Sequence, residues 1–163
     1  MTRALLAAFA LGASLVQVGA LPALFLNAAA APLLPVALVA AWGTMRDPDE
    51  VWPALLLAPL PLGVASEERL GWFLLALLPT AALLFLHRSP PEGLHRLGRA
   101  PLAAAFGTLA YLVLLWVAAG EVRALPSATG LILGSAVMTG AIAALLAAAL
   151  WPVRTRRAPG LFR

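Results

Sequence analysis

The chain has 163 residues, 63% of them hydrophobic, with 11 Lys plus Arg against 7 Asp plus Glu and no cysteine. Soluble domains run at roughly 45–50% apolar, so this composition points to the membrane. The missing cysteine excludes disulfides, thiolate metal sites and Cys nucleophiles. The net charge of +4 rests on arginines that flank apolar segments and form no patch with interleaved aromatics, which argues against nucleic acid as a partner.

Every charged residue falls in the gaps between apolar stretches at 4–26, 33–45, 51–65, 70–87, 100–119 and 128–152. A charge at the bilayer centre costs at least about 2.5–3.5 kcal/mol, so lipid selects for this segregation. The predicted fold is all-α: one compact bundle of six transmembrane helices over residues 1–153, followed by a basic cytoplasmic tail at 154–163. The helices are expected at about 4–26, 28–45, 51–65, 70–87, 100–119 and 128–152.

The first segment follows Arg3 and reads as an uncleaved helix rather than a signal peptide. Ala4, Ala8 and Gly12 place small residues at four-residue spacing on it, and Gln17 is its main polar group. The second segment can begin in Ala28–Ala31 and leads to an acidic turn at Asp47, Asp49 and Glu50. The third carries Pro53, Pro59 and Pro61, which remove backbone donors and kink helices. Glu67 and Glu68 then form an acidic turn outside the membrane, a candidate contact for a periplasmic partner.

The fourth segment ends in a basic loop, 87–99, that holds both histidines, His87 and His95. The fifth has Ala103 and Gly107 at four-residue spacing. The sixth holds Gly130 and Gly134 as a GxxxG step, the pair Ser135 and Thr139, and the series Ala136, Gly140 and Ala144. Small residues at i and i+4 share a helix face and let another backbone approach closely. The candidate packing or partner interface is therefore Gly130, Gly134, Ser135, Thr139, Gly140 and Ala144, together with Ala4, Ala8 and Gly12.

The arginines set the direction. With the N-terminus inside and six crossings, Arg3, Arg46, Arg88, Arg96, Arg99, Arg154, Arg156, Arg157 and Arg163 are cytoplasmic. Only Arg69 and Arg123 are outside, as the positive-inside rule requires. Trp42, Trp52, Trp72, Trp116 and Trp151 lie near segment ends, where interfacial aromatics belong.

No segment holds an Asp, Glu or His in its interior that could serve a proton relay or an intramembrane protease; His87 and His95 stand at or beyond a helix end. The expectation is a protein that is not an enzyme, with no catalytic residue, no metal and no cofactor. Packing is what remains.

The order of features resembles the MreD family of bacterial rod-shape-determining membrane proteins. The resemblance lies in LVQVGALPALFLNAAAAPLLPVALVAAWGTM (Leu15–Met45), an opening helix with a Gln toward its end followed by a Pro-led second helix. It continues in PLPLGVASEERLGWFLLALLPTAALLFL (Pro61–Leu86), a Gly, an acidic turn and a Leu-Gly entry to the next helix, and in the basic tail after Trp151. In many relatives an Asp follows that Gly within a few residues; here Gly63 leads through Val-Ala-Ser to Glu67. The resemblance implies a non-enzymatic subunit of the cell-elongation machinery in the bacterial cytoplasmic membrane. Its implied partners are an MreC-like scaffold, a RodA-like SEDS glycosyltransferase and a class B penicillin-binding protein, with actin-like MreB on the cytoplasmic side.

A second resemblance is to substrate-binding S components of energy-coupling-factor vitamin transporters. These are six-helix proteins too, and they dock through small residues like Ala4, Ala8 and Gly12. They need a substantial outer loop and a polar pocket near the outer face, whereas the first outer connection here is short and nearly all Ala.

Overall fold

The computed structural model describes residues 2–25, 30–65, 70–86 and 95–154. Eight α-helices carry them, with no strand among the described residues. In chain order they are α1 (Thr2–Gly19), α2 (Leu21–Leu24), α3 (Leu34–Met45), α4 (Trp52–Leu57), α5 (Pro59–Ala65), α6 (Leu70–Leu86), α7 (His95–Ala118) and α8 (Leu125–Leu150). Short 3-10 turns follow α3, precede α8 and close the described chain at Trp151–Val153.

Two helical stretches, Leu97–Ala118 and Leu125–Val153, are long and apolar enough to cross a membrane. Arg3–Gly19, Leu34–Met45 and Leu70–Leu86 are apolar but shorter. Tertiary hydrogen bonds and proline explain the shortening. The second helix is expected from residue 28 but begins at Leu34: Leu33 is extended (φ −92°, ψ 91°), and its N–H goes to Thr139 Oγ1 of α8 rather than into a helix. The third segment is two helices, α4 and α5. Pro59 and Pro61 lack the N–H groups that would bond back to residues 55 and 57. Ala58, between α4 and α5, keeps right-handed helical backbone (φ −57°, ψ −37°), so the ladder is interrupted without a reversal of the chain.

α3 is the central element. Ten of its 12 residues are buried, and it packs against α1, α6, α7 and α8. Its neighbours come close because the seams are alanine. Ala37 and Ala40 meet Ala104 and Ala143; Ala41 and Met45 meet Ala100 and Ala147. Residue numbers rise together along α3 and α8 and fall along α7, so α3 and α8 run parallel and α7 antiparallel to both. A larger cluster gathers Leu6, Val36, Val39, Leu55, Phe73, Leu77, Tyr111 and Ile132 from the remaining contacts.

One end of the bundle is tied by a polar knot. Arg46, just past α3, pairs with Glu50 before α4 (Nε to Oε2, 3.0 Å). Trp42 Nε1 donates to the same Oε2 at 2.9 Å. Arg46 Nη1 reaches the Val153 carbonyl at 3.1 Å, beyond the end of α8. Burial pushes the Glu50 carboxyl up, but hydrogen bonds from Arg46 and Trp42 and the Arg46 charge outweigh it and hold its pKa below the usual range. The tail from residue 155, the acidic pair Glu67 and Glu68, and His87 lie outside the described residues.

Candidate partner-binding site

The site originates in the late start of α3. Residues 30–33 are not part of an α-helix, and their backbone runs along the middle of α8. Ser135 Oγ donates to the Ala31 carbonyl at 2.6 Å. Thr139 Oγ1 accepts from the Leu33 N–H at 2.9 Å and donates to the Ser135 carbonyl at 2.7 Å. Gln17 Oε1 accepts from the Leu34 N–H at 2.9 Å. Ser135 and Thr139 lie about 15 and 21 Å along α8 from its first residue at 1.5 Å per residue. Irregular backbone at such depth is tolerated when side chains satisfy it, and these three polar side chains do so.

Because α3 starts deep, the space between its N-terminus and the end of the bundle is not filled by that helix. A cavity of about 310 Å³ lies there, lined by Gln17, Leu33, Val36, Leu62, Phe73, Leu77, Tyr111, Leu112 and Trp116 among others. The lining comes from the last turns of α1 and α5, the first turns of α3 and α6 and the last three turns of α7. The walls are apolar, with the Gln17 amide, the Tyr111 hydroxyl and the Trp116 indole as the polar groups of those side chains. One turn deeper on the same helices, Ser14, Thr80 and Thr108 hold buried hydroxyls with no hydrogen-bond partner.

The expected small-residue interface divides in two. Ser135, Thr139 and Gly140 are buried inside the protein. The first two hold the descending backbone, and a Cβ on Gly140 would come within 3.1 Å of the Pro101 carbonyl oxygen of α7. These three positions therefore pack within the chain's own bundle, while Ala144 is half-buried. Gly130 and Gly134 point outward, and nothing lies within 4 Å of a Cβ placed on either. With Val137, Met138, Ala141 and Leu145 they form an exposed apolar face of α8. Ala4, Ala8 and Gly12 are exposed on α1 beside Leu5 and Phe9. Gly107 of α7 is also used internally, set directly against the Thr80 side chain of α6.

The cavity itself has a weak sequence signal. Gln17 and Tyr111 stand out as polar groups in apolar segments, but Leu62, Phe73, Leu77 and Leu112 look like any core residues. Among the described residues no three His, Asp or Glu side chains come together as a metal-binding group would. No family model, curated protein or solved structure matches the chain.

Proposed function

We propose that this protein is a non-enzymatic, six-crossing subunit of a bacterial cytoplasmic membrane complex, of the MreD type, that holds membrane-embedded and membrane-proximal segments of partner proteins. The six crossings are α1 with α2, α3, α4 with α5, α6, α7 and α8, with both termini in the cytoplasm. Arg3, Arg46, Arg99 and Arg154 belong to one end of this arrangement and Arg123 to the other. By the positive-inside rule the arginine-rich end faces the cytoplasm and the cavity end faces outward.

The observation that carries the reading is the outward cavity, apolar-walled and edged by a few polar groups. Partner segments just outside the membrane can place apolar side chains there. The exposed Gly130–Gly134 groove of α8 is the second contact, suited to a partner's transmembrane helix. The implied partners are an MreC-like scaffold and, through it, the RodA-like glycosyltransferase, its class B penicillin-binding protein and MreB.

Affinity purification in mild detergent tests the proposal. Recovery of an MreC-like protein, reduced by Leu112→Trp in the cavity and by Gly134→Leu on α8, is the expected result. The cavity also supports a second reading, an S component that binds a small molecule there. Recovery of a transporter ATPase module would favour that reading and overturn the first.

A further inference from the structure

Resting on the six-crossing reading, we propose that the flank formed by α4, α5 and α6 binds a locally thinned bilayer, so that its partner on that side is compressed lipid rather than protein. The exposed stripe of α4 and α5 is Trp52, Leu56, Leu60 and Val64, at a strict four-residue spacing. From first to last it covers about 18 Å at 1.5 Å per residue. The Arg46–Glu50 ion pair bounds it immediately on the cytoplasmic side. In the sequence Glu67 follows Val64 by three positions.

α6, which shares the Trp52 marker, gives a similar length. Its Phe85 stacks on Trp52, ring centroids 5.5 Å apart, at the cytoplasmic end. Its half-exposed Trp72 stands near the outer end. Phe85 follows Trp72 by 13 positions, which is about 20 Å of helix. Interfacial aromatics mark where hydrocarbon ends, so this flank carries two markers about 20 Å apart against a hydrocarbon core of about 30 Å. The opposite flank differs. α7 and α8 have 24 and 26 residues, about 36 and 39 Å, lengths that span an ordinary core and reach into its headgroup regions.

A short flank can be met by thinning, by snorkelling or by association with another protein. The side chains select thinning. The stripe is made of large residues, Trp and Leu with Val64, and offers no small-residue groove for a second helix. Arg46, the cation that flanks its cytoplasmic end, is held by Glu50 and the Val153 carbonyl instead of reaching outward. Pro53, Pro59 and Pro61 fix the run in its interrupted form.

The test uses the full chain reconstituted in phosphatidylcholine vesicles with monounsaturated chains of 14, 18 or 22 carbons. Single-tryptophan variants keep Trp52 or Trp72, the other tryptophans being replaced by Phe. If lipid follows the flank, the emission maximum of each tryptophan stays at its interfacial position at all three chain lengths. A blue shift of either as the chains lengthen overturns the proposal, because an undeformed core would then cover that ring. A second measurement needs no substitution. The thermal midpoint of the unaltered chain across monounsaturated lipids should peak at chains shorter than oleoyl, and a peak at oleoyl or longer overturns the proposal. Extraction by alkaline carbonate instead would overturn the membrane reading itself, an outcome distinct from insertion without thinning.

Discussion

Thr139 in the middle of α8 accepts the backbone N–H of Leu33 at 2.9 Å, across 106 positions of sequence. That one bond fixes the depth at which α3 begins, and the cavity exists because α3 begins there. Thr139→Val removes the acceptor and leaves a buried donor unpaired, at a cost of about 1–3 kcal/mol. Thr139→Ser keeps the hydroxyl and should stay near the parent. Thermal unfolding in detergent with the two variants side by side checks this.

Two glycines of α8 should behave oppositely although a sequence motif treats them alike. Gly140→Leu drives a side chain against the Pro101 carbonyl and Ala105, overpacking worth about 1–3 kcal/mol of destabilisation. Gly134→Leu meets open space and should leave the unfolding midpoint unchanged. Its effect belongs in partner recovery. A fall in midpoint for Gly134→Leu equal to that of Gly140→Leu would contradict the assigned faces.

Leu112→Trp adds bulk inside the cavity. Leu112 is buried and lines the space, so a larger ring there has volume to enter. The stability loss is expected to stay below the roughly 1–3 kcal/mol of overpacking in a filled core, while recovery of an MreC-like partner drops. Circular dichroism melts and quantitative pull-down separate the two effects.

The Arg46–Glu50 tie sets a pH dependence. Glu50 has its pKa lowered in the folded protein: burial acts to raise it, and the Arg46 and Trp42 hydrogen bonds outweigh that. A carboxyl lowered on folding contributes stability above its unfolded pKa, about 4.3 for Glu, and loses it as pH falls through the folded value. Unfolding should therefore become easier below about pH 4. Glu50→Gln should remove that part of the slope and lower stability near neutral pH. Equal acid sensitivity in the variant would place the effect elsewhere.

The helical class and the apolar runs were legible because charge segregation and hydropathy act locally. Pro53, Pro59 and Pro61 marked 51–65 as a kinked helix but left open whether it is continuous, and the structure divides it into α4 and α5. The late start of α3 was not legible. Ala28–Ala31 reads as good helix, and what holds the neighbouring backbone extended is Ser135 and Thr139, far away in sequence. Those two residues looked like a small-residue docking face, since periodicity reports that residues share a face without saying what the face meets. The cavity was hidden for a related reason: an unfilled space has no residues of its own, and its walls use the same leucines and phenylalanines as the core.

The dependence of α3 on α8 also orders events during synthesis. α3 is a 12-residue helix, short of the about 20 residues a free-standing crossing needs, and Ser135 and Thr139 are made roughly a hundred positions later. Until then the Leu33 N–H and the Ala31 carbonyl lack those partners. A nascent chain released before residue 139 would leave that entry segment unpaired, so α3 is completed only once α8 has been made.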